Sequence, residues 1–419
     1  MHDNRPLPVP VVTVFLAAGD KIALFKRSSQ VGTYAGAWAG VSGYVERLPL
    51  DQAYIELQEE TGLGRDDVEL RGIGAPVLVE DPGLDRVWAV FPFLFERYGP
   101  RKITIDWETD SIEWVVPDEI KNRRIVPGLD RALAAVWPTF GDQELWTGLA
   151  DISVDTGRGA TALAFAGLEV VEAFARRDPS ASRQRQARAL AACRPSMGVF
   201  PHLAARYLLD HPKEGELQRS IADSTAESAA RAARALGSFR CIVTNSSSTA
   251  VREAVMLRHS TGAPFEVIIM ESRPDLEGVD MARYLAREGV RISVITDAQA
   301  SLFTQTADAV LVGCDALTED DKLRNKAGTS LLVMSAGSHG ISCFAVTQTF
   351  KIVPAGFPHV MEQQEPDRVG KADGVRFHNF AFDTTPIDAF EAVFTENGPL
   401  TREMLESTRN RLGAAKLGT

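Results

Sequence analysis

"ADAVLVGCDALTEDDKLRNKAGTSLLVMSA", residues 307–336, sets the fold class of the larger part of this chain. A short apolar, β-rich run ends at Asp315, and a stretch with helical spacing follows Asn325-Lys326. The same alternation extends from about Gly237 to Pro354 through "FRCIVTNSS", "PFEVIIMES", "VRISVIT" and "ISCFAVT", with "DMARYLARE" among the helical stretches. Strands and helices in alternation imply a parallel sheet covered on both faces. Such a sheet presents functional groups at the carboxyl ends of its strands, so Asp315 is a candidate catalytic residue. Asn325 and Lys326 are expected to open the next helix, a place suited to a phosphate.

Upstream, from about Gly141 to Leu236, the pattern is helical, as in "GATALAFAGLEVVEAFARR" and "STAESAARAARAL". Residues 9–135 are instead rich in strand signals. "VPVVTVFLAA" and "KIALFKRS" bracket Gly19-Asp20, a hairpin signature, and "RVWAVFPFLFE" and "SIEWVV" are further strands. A helix over about Leu50–Thr61 stops at Gly62, and another follows Pro127-Gly128. The expected organisation is α+β followed by α/β, with domains at 1–138, 139–236 and 237–419.

The chain has 419 residues, 45% apolar and 24% charged, the balance of a soluble globular protein. No stretch has the apolar length of a membrane span. The four cysteines, Cys193, Cys241, Cys314 and Cys343, form no CxxC pair. They point to a reducing cytoplasm and away from disulfides or a zinc site. A net charge of −11 argues against membrane or direct nucleic-acid partners. Local arginines, lysines or helix N-termini must therefore hold any phosphate.

Two groups of residues carry candidate chemistry. Glu56, Glu59 and Glu60 stand at i, i+3 and i+4 on one helical face, where their repulsion would be relieved by a cation. Carboxylate oxygens suit Mg²⁺, or Mn²⁺ in its place. The second group comprises Arg158 in "GRGATALA" with its neighbour Gly159, Arg194 in "CRPSMG" and Arg273 in "ESRPDLEG". Each arginine adjoins Gly or Pro, and guanidinium forks recognise phosphate in bidentate fashion.

"WAGVSGYVE" and "ELQEETGL" resemble the Nudix hydrolase family over about residues 9–137. The resemblance implies an α/β/α sandwich in which a glycine loop and a glutamate helix hold a diphosphate and its divalent metals. Trp38, Ser42, Gly43, Glu46, Glu56, Glu59, Glu60, Gly62 and Leu63 match that pattern. Ile55 replaces the family's arginine before the first helix glutamate, "RLP" replaces a Gly-Glu pair, and Glu46 stands two residues too close to Glu56. The lost groups brace the loop against the helix.

"RGATALA", "RPSMGVF", "IVTNSSSTAV", "ESRPDLEG", "GCDALTEDDKLRNKAGTSLLVMSA" and "FDTTPIDAFEAVFTENG" resemble the initiation factor 2B alpha/beta/delta family, over about residues 142–410. That family includes ribose-1,5-bisphosphate isomerase and methylthioribose-1-phosphate isomerase. The resemblance implies a helical subdomain and a Rossmann-like subdomain that bind a phosphorylated ribose or nucleotide without a cofactor. The isomerases place a His-Cys pair where this chain has Asn245 and Ser246; Ser246 then becomes the residue paired with Asp315. A hydroxyl is a far weaker acid than a thiol of pKa about 8.5. Three roles remain open: processing of a nucleotide-linked or phosphorylated ribose, ligand binding for regulation, and a translation-factor role. The resemblance also implies self-association through the C-terminal domain. Sedimentation at micromolar concentration should therefore show a species heavier than the 45.6 kDa chain.

Overall fold

The computed structural model describes residues 8–137, 143–358 and 360–417. The chain packs into two units, one of residues 1–155, 169–195 and 416–419, the other of 156–168 and 196–415. The boundary expected at 138/139 falls outside the described residues, and the helical stretch expected as one subdomain is divided between the units.

In the first unit an eight-stranded mixed sheet contains β1 (Val9–Ala18), β2 (Lys21–Arg27), β3 (Trp38–Ala39), β4 (Val41–Tyr44), β5 (Val68–Ile73), β6 (Val77–Asp81), β7 (Arg86–Arg97) and β8 (Thr109–Val115). The β1–β2 turn uses Gly19 at φ 62°, which has no Cβ to oppose a left-handed backbone. β1 runs parallel to β7 and antiparallel to β2 and β4. Alternate residues of β7 face opposite ways. Phe95 meets Tyr54 of α1 (Pro49–Thr61) edge-on, whereas Trp88, Val90 and Leu94 join Leu129, Leu133 and Val136 of α2 (Leu129–Val136) in one core. The result is a helix–sheet–helix sandwich. In the same unit, α3 (Gln143–Val154) packs against β5. α4 (Ala160–Arg177) is shared between the two units, and α5 (Arg183–Cys193) belongs to the first.

The second unit begins with α6 (Val199–Asp210) and α7 (Glu216–Ala235). Next come β9 (Cys241–Asn245), α8 (Thr249–His259), β10 (Glu266–Met270), α9 (Glu277–Arg287), β11 (Arg291–Ile295), α10 (Ala300–Thr304) and β12 (Ala309–Val312). β13 (Ala316–Leu317), β14 (Lys322–Lys326), α11 (Thr329–Ser338), β15 (Ser342–Val346), β16 (Phe382–Pro386), β17 (Ala392–Thr395), β18 (Gly398–Pro399) and α12 (Arg402–Gly413) complete it. The main sheet has the order β11-β10-β9-β12-β15-β17-β18 and is parallel except at β18. This is a doubly wound sheet whose winding reverses between β9 and β12. Ile242, Val267 and Leu311 face one core with α7, α8 and α9; Val243, Ile268 and Val310 face the other with α11. β13, β14 and β16 form a small antiparallel sheet.

One expectation is corrected here. Asn325 and Lys326 lie on β14, not at the opening of a helix; α11 starts three residues later, after Gly328 at φ 101°. Its N-terminus is already capped by Asp383, which accepts from the N–H groups of Gly328 at 2.8 Å and Ser330 at 3.1 Å. A side-chain carboxylate therefore holds the position expected for a phosphate.

Close backbone approach sets one sharp constraint. A Cβ added to Gly278, at the start of α9, would lie 1.8 Å from the Met270 carbonyl oxygen at the end of β10. Gly278→Ala should destabilise the protein by about 1–3 kcal/mol, as overpacking does. Chemical denaturation should show the lower midpoint.

Candidate functional sites

The acidic helix and its loop are built from the turn before α1. Gly62 caps the helix in the left-handed conformation and donates to Gln58 O at 2.9 Å. Glu56 and Glu60, one turn apart, engage the Ser42–Glu46 loop. Ser42 N–H donates to Glu60 Oε1 at 2.9 Å. A Cβ on Gly43 would sit 1.9 Å from Glu56 Oε1, so only glycine admits that carboxylate. Glu59 is exposed, and among the described residues no three acidic, His or Cys side chains converge as a metal-holding group. The three-carboxylate cluster expected from spacing is therefore a pair, Glu56 and Glu60, with Glu59 on the outer side.

The brace lost with the family's arginine is supplied by Gln52. Its Nε2 donates to Glu56 Oε1 at 2.7 Å, and its Oε1 accepts from Glu46 N–H at 3.3 Å. Burial lifts Glu56 above the usual carboxylate range, and Glu59, Glu108 and Glu46 add to the rise against the Gln52 hydrogen bond. Burial pushes Glu60 from 4.5 to about 8; the Ser42 N–H opposes this, and Glu56, Glu108 and Asp106 reinforce it. Sequence reasoning missed Gln52, Asp106 and Glu108. The i, i+4 spacing of Gln52 and Glu56 was a usable signal, whereas nothing in the sequence ties Asp106 or Glu108 to α1. The donor set fits Mg²⁺, which binds through one or two carboxylates and completes its shell with water and substrate phosphates.

The second site lies where the winding of the parallel sheet reverses. The loops after β9 and β12 touch: a Cβ on Gly313 would lie 2.6 Å from Ser248 Oγ. Ser246 follows β9 at φ 58°, and Ser272 and Leu276, beyond β10, have φ values of 62° and 59°. Non-glycine residues held in this region are costly and are retained where the surroundings over-determine them. Ser246 N–H donates to Ser272 Oγ at 2.7 Å, and Ser246 Oγ donates to Glu277 Oε2 at 2.8 Å. Glu277 Oε1 pairs with Lys326 Nζ at 2.9 Å; Asp275 lies 3.8 Å from the same nitrogen and 3.1 Å from Arg368. Asn245 and Asn325 both donate to Thr329 Oγ1, at 3.0 and 2.9 Å.

Asp315 is half-buried beyond the end of β12, and its carboxylate makes no hydrogen bond among the described residues. Burial raises its pKa; Lys351 and Lys326 oppose the rise, while Glu277 and Glu362 add to it. Behind it, fully buried Arg324 donates to Ser196 O at 2.5 Å, and Ser196 Oγ donates to Glu362 Oε2 at 2.5 Å. Cys314 is a buried residue whose thiol is pushed up to about 11, which leaves it no nucleophilic role.

The expected phosphate ligands are distributed unevenly. Arg273 is exposed, and its N–H and that of Ser272 donate to the Asp297 carboxylate, at 2.7 and 2.8 Å. Arg158 is exposed and Gly159 faces open space, both in the second unit. Arg194 belongs to the first unit, where it is buried and donates from Nη1 to Asp155 O at 2.5 Å and Ile152 O at 3.4 Å near the end of α3. Sequence reasoning missed Glu277, Glu362 and Lys351. The glutamate in "ESRPDLEG" opens α9 at a strand end, which was the available signal for Glu277.

Comparison with known proteins agrees with both halves. The NUDIX domain family pattern matches residues 7–136, and that of the initiation factor 2 subunit family matches residues 212–402. A Pyrococcus abyssi protein named eIF-2B subunit 2-like is 30% identical over 260 residues, covering 60% of this chain and 94% of the relative. Ribose 1,5-bisphosphate isomerase of Haloferax volcanii is 30% identical over 243 residues, covering 52% of this chain and 75% of the enzyme. The crystal structure of Pyrococcus horikoshii OT3 translation initiation factor eIF-2B superposes with a TM-score of 0.54 at 27% identity, over 62% of this chain and 97% of that one.

The raised Glu60 carboxyl has a measurable consequence. Its folded pKa of about 8 exceeds the ordinary 4.5, so the folded state holds a proton that the unfolded state releases between those values. Stability from this group is complete below the lower value and is lost as pH rises through about 8. In chelator-treated buffer, thermal melts of the wild type should fall between pH 6 and pH 9. Glu60→Gln should flatten that fall, and added Mg²⁺ should restore the wild type but not the variant.

Proposed function

We propose that this chain, which belongs to the initiation factor 2 subunit family and carries a Nudix hydrolase-like domain ahead of its sugar-phosphate isomerase-family domain, processes phosphorylated ribose in two steps. The N-terminal domain hydrolyses a nucleoside-diphosphate-linked compound, and the C-terminal domain isomerises a phosphorylated ribose from aldose to ketose. The observation that carries the second step is Asp315, a carboxylate without a hydrogen bond among the described residues, beside the crevice that also holds Ser246.

In the first domain, Glu56 and Glu60 would hold Mg²⁺ or Mn²⁺. Bound there, the cation would supply Lewis-acid polarisation of a diphosphate. Gln52 and the Ser42 N–H keep the two carboxylates aimed at the loop. In the second domain no cofactor is required. Asp315 takes the proton from C2 as the C1–O4 ring bond breaks and O4 gains a proton, leaving a C1=C2 enol whose O1 keeps its phosphate. The same carboxyl returns its proton to C1 while O2 loses its own, leaving the open-chain ketose phosphate; atoms and charge balance. In this reading Ser246 turns its hydroxyl proton from Glu277 to the developing enolate. Arg158, Gly159, Arg273, Asn325 and Lys326, all of the second unit, are the proposed phosphate-binding set. We place the protein in the cytoplasm as a homo-oligomer; among the described residues no helix is long and apolar enough to cross a membrane.

The deciding assay mixes ribose 1,5-bisphosphate with the protein and follows ketose formation. Asp315→Asn should abolish turnover while leaving ligand binding largely intact, because an amide cannot accept the proton. Ser246→Cys should raise the rate by restoring a thiol. No product from the wild type or from Ser246→Cys, with normal binding in both, would reject isomerisation and leave ligand binding as the domain's role.

A further inference from the structure

The register of β4 on β1 sorts the side chains of the glycine loop. Gly43 stands opposite Val12 and faces α1, whose Glu56 fills the space a Cβ would need. Ser42 and Tyr44, opposite Thr13 and Val11, face the other side of the sheet, that of α2. Val45 N–H donates to Pro10 O at 3.0 Å, so in alternation the N–H groups of Ser42 and Tyr44 point away from β1. Among the described residues β4 pairs with β1 alone, and its other edge carries no strand. Glu60 reaches that edge and accepts from Ser42 N–H there. The carboxylate pair and the α2 face of the sheet thus meet along the outer edge of one strand.

On the α2 face Tyr44 is 54% exposed. Its ring lies 6.2 Å from that of Trp88 at 46°, the two reaching across β1 over Val9 and Val11. Trp88 is fixed: its Nε1 donates to Asp81 Oδ2 at 3.4 Å, and it shares a core with Leu129 and Leu133. The Arg86 guanidinium stands 5.6 Å from the Trp88 ring and makes no ion pair among the described residues. Two partly buried aromatics of this unit are covered, Trp38 by Arg123 and Tyr54 by Arg65. Tyr44 has no such cover, and its hydroxyl makes no hydrogen bond among the described residues. Two residues separate it from Ser42, about 7 Å along a strand. The ribose of a nucleoside diphosphate bridges such a gap between its phosphates and its base.

We propose that Tyr44, backed by Trp88 and flanked by Arg86, is the nucleobase platform of the N-terminal domain and sets its preference for nucleoside diphosphates over diphosphates without a base. The uncovered ring takes the base in stacking, and Arg86 donates to acceptor atoms on the base edge. Every base has a π face, so the platform selects for a nucleobase and not for one base among them. The assignment rests on the reading of this domain as a hydrolase of nucleoside-diphosphate-linked compounds for its ligand class, but not on turnover.

The test uses the full chain, calorimetric titration with ADP and with inorganic pyrophosphate, each with and without Mg²⁺, and thermal melts without ligand. The Mg²⁺-dependent component of each isotherm reports the first domain. The wild type should bind ADP more tightly than pyrophosphate. Tyr44→Leu should weaken ADP by about 10-fold or more and leave both pyrophosphate affinity and the melting temperature unchanged. Tyr44→Phe should keep wild-type affinity, because stacking needs the ring and not the hydroxyl. Arg86→Gln should weaken ADP by about 3-fold or more with pyrophosphate unchanged, which covers the case in which Tyr44→Leu does not fold. Equal losses for ADP and pyrophosphate, or wild-type ADP affinity in folded Tyr44→Leu, would overturn the proposal. Absence of Mg²⁺-dependent ADP binding by the wild type would overturn it as well. ADP binding that depends on Tyr44 without hydrolysis of ADP-ribose supports the proposal and removes only hydrolysis. Hydrolysis of ADP-ribose with an unchanged KM in Tyr44→Leu removes only the proposal.

Discussion

The reversal of winding between β9 and β12 is the constraint on which the second site depends. Crossovers from β9 run toward β10 and β11, and those from β12 run toward β15 and β17. The loops leaving β9 and β12 are thus neighbours with no helix between them, and their polar groups must be satisfied by one another or by a ligand. Ser246 and Ser248 from one loop and Gly313 and Asp315 from the other meet on those terms. Serines held at positive φ, and a glycine that no larger residue could replace without moving its neighbour, are the cost of that convergence.

Both sites bury carboxylates, and they manage the resulting charge differently. Around α1, burial raises the proton affinity of Glu56 and Glu60, and their geometry is held by neutral donors, Gln52 and the Ser42 N–H. That arrangement ties the loop to α1 with Ile55 at the position where the Nudix pattern has an arginine. At the sheet crevice, cations and anions interleave. Glu277 ties Ser246 to Lys326, and Asp383 fills the N-terminus of α11. The residues that look like phosphate ligands in the sequence are therefore partly neutralised in the fold, whereas the Asp315 carboxylate makes no hydrogen bond among the described residues.

The sequence by itself determined the architecture. Gly19-Asp20 marked the β1–β2 hairpin, Gly62 marked the end of α1, and the apolar runs between Cys241 and Val346 marked a parallel sheet, because turn chemistry and apolar periodicity are local properties. Asp315 was legible for the same reason, since an acid just past an apolar strand must stand at a carboxyl end. Other features were decided only by the tertiary structure. The position of Lys326 depended on where a strand ended and α11 began, and a three-residue difference moved it from a helix mouth to β14. Glu59 shared a helical face with Glu56 and Glu60 in projection, yet α1 turns only the latter two toward the loop, because 100° per residue leaves i+3 at the rim of the buried stripe. Glu277, Glu362 and Lys351 approach Asp315 from segments 38 residues upstream, 47 residues downstream and 36 residues downstream, as their numbers in the chain show. No local pattern encodes that meeting; burial of the two cores brings their charges within reach of one another, and the fold alone sets which of them are paired.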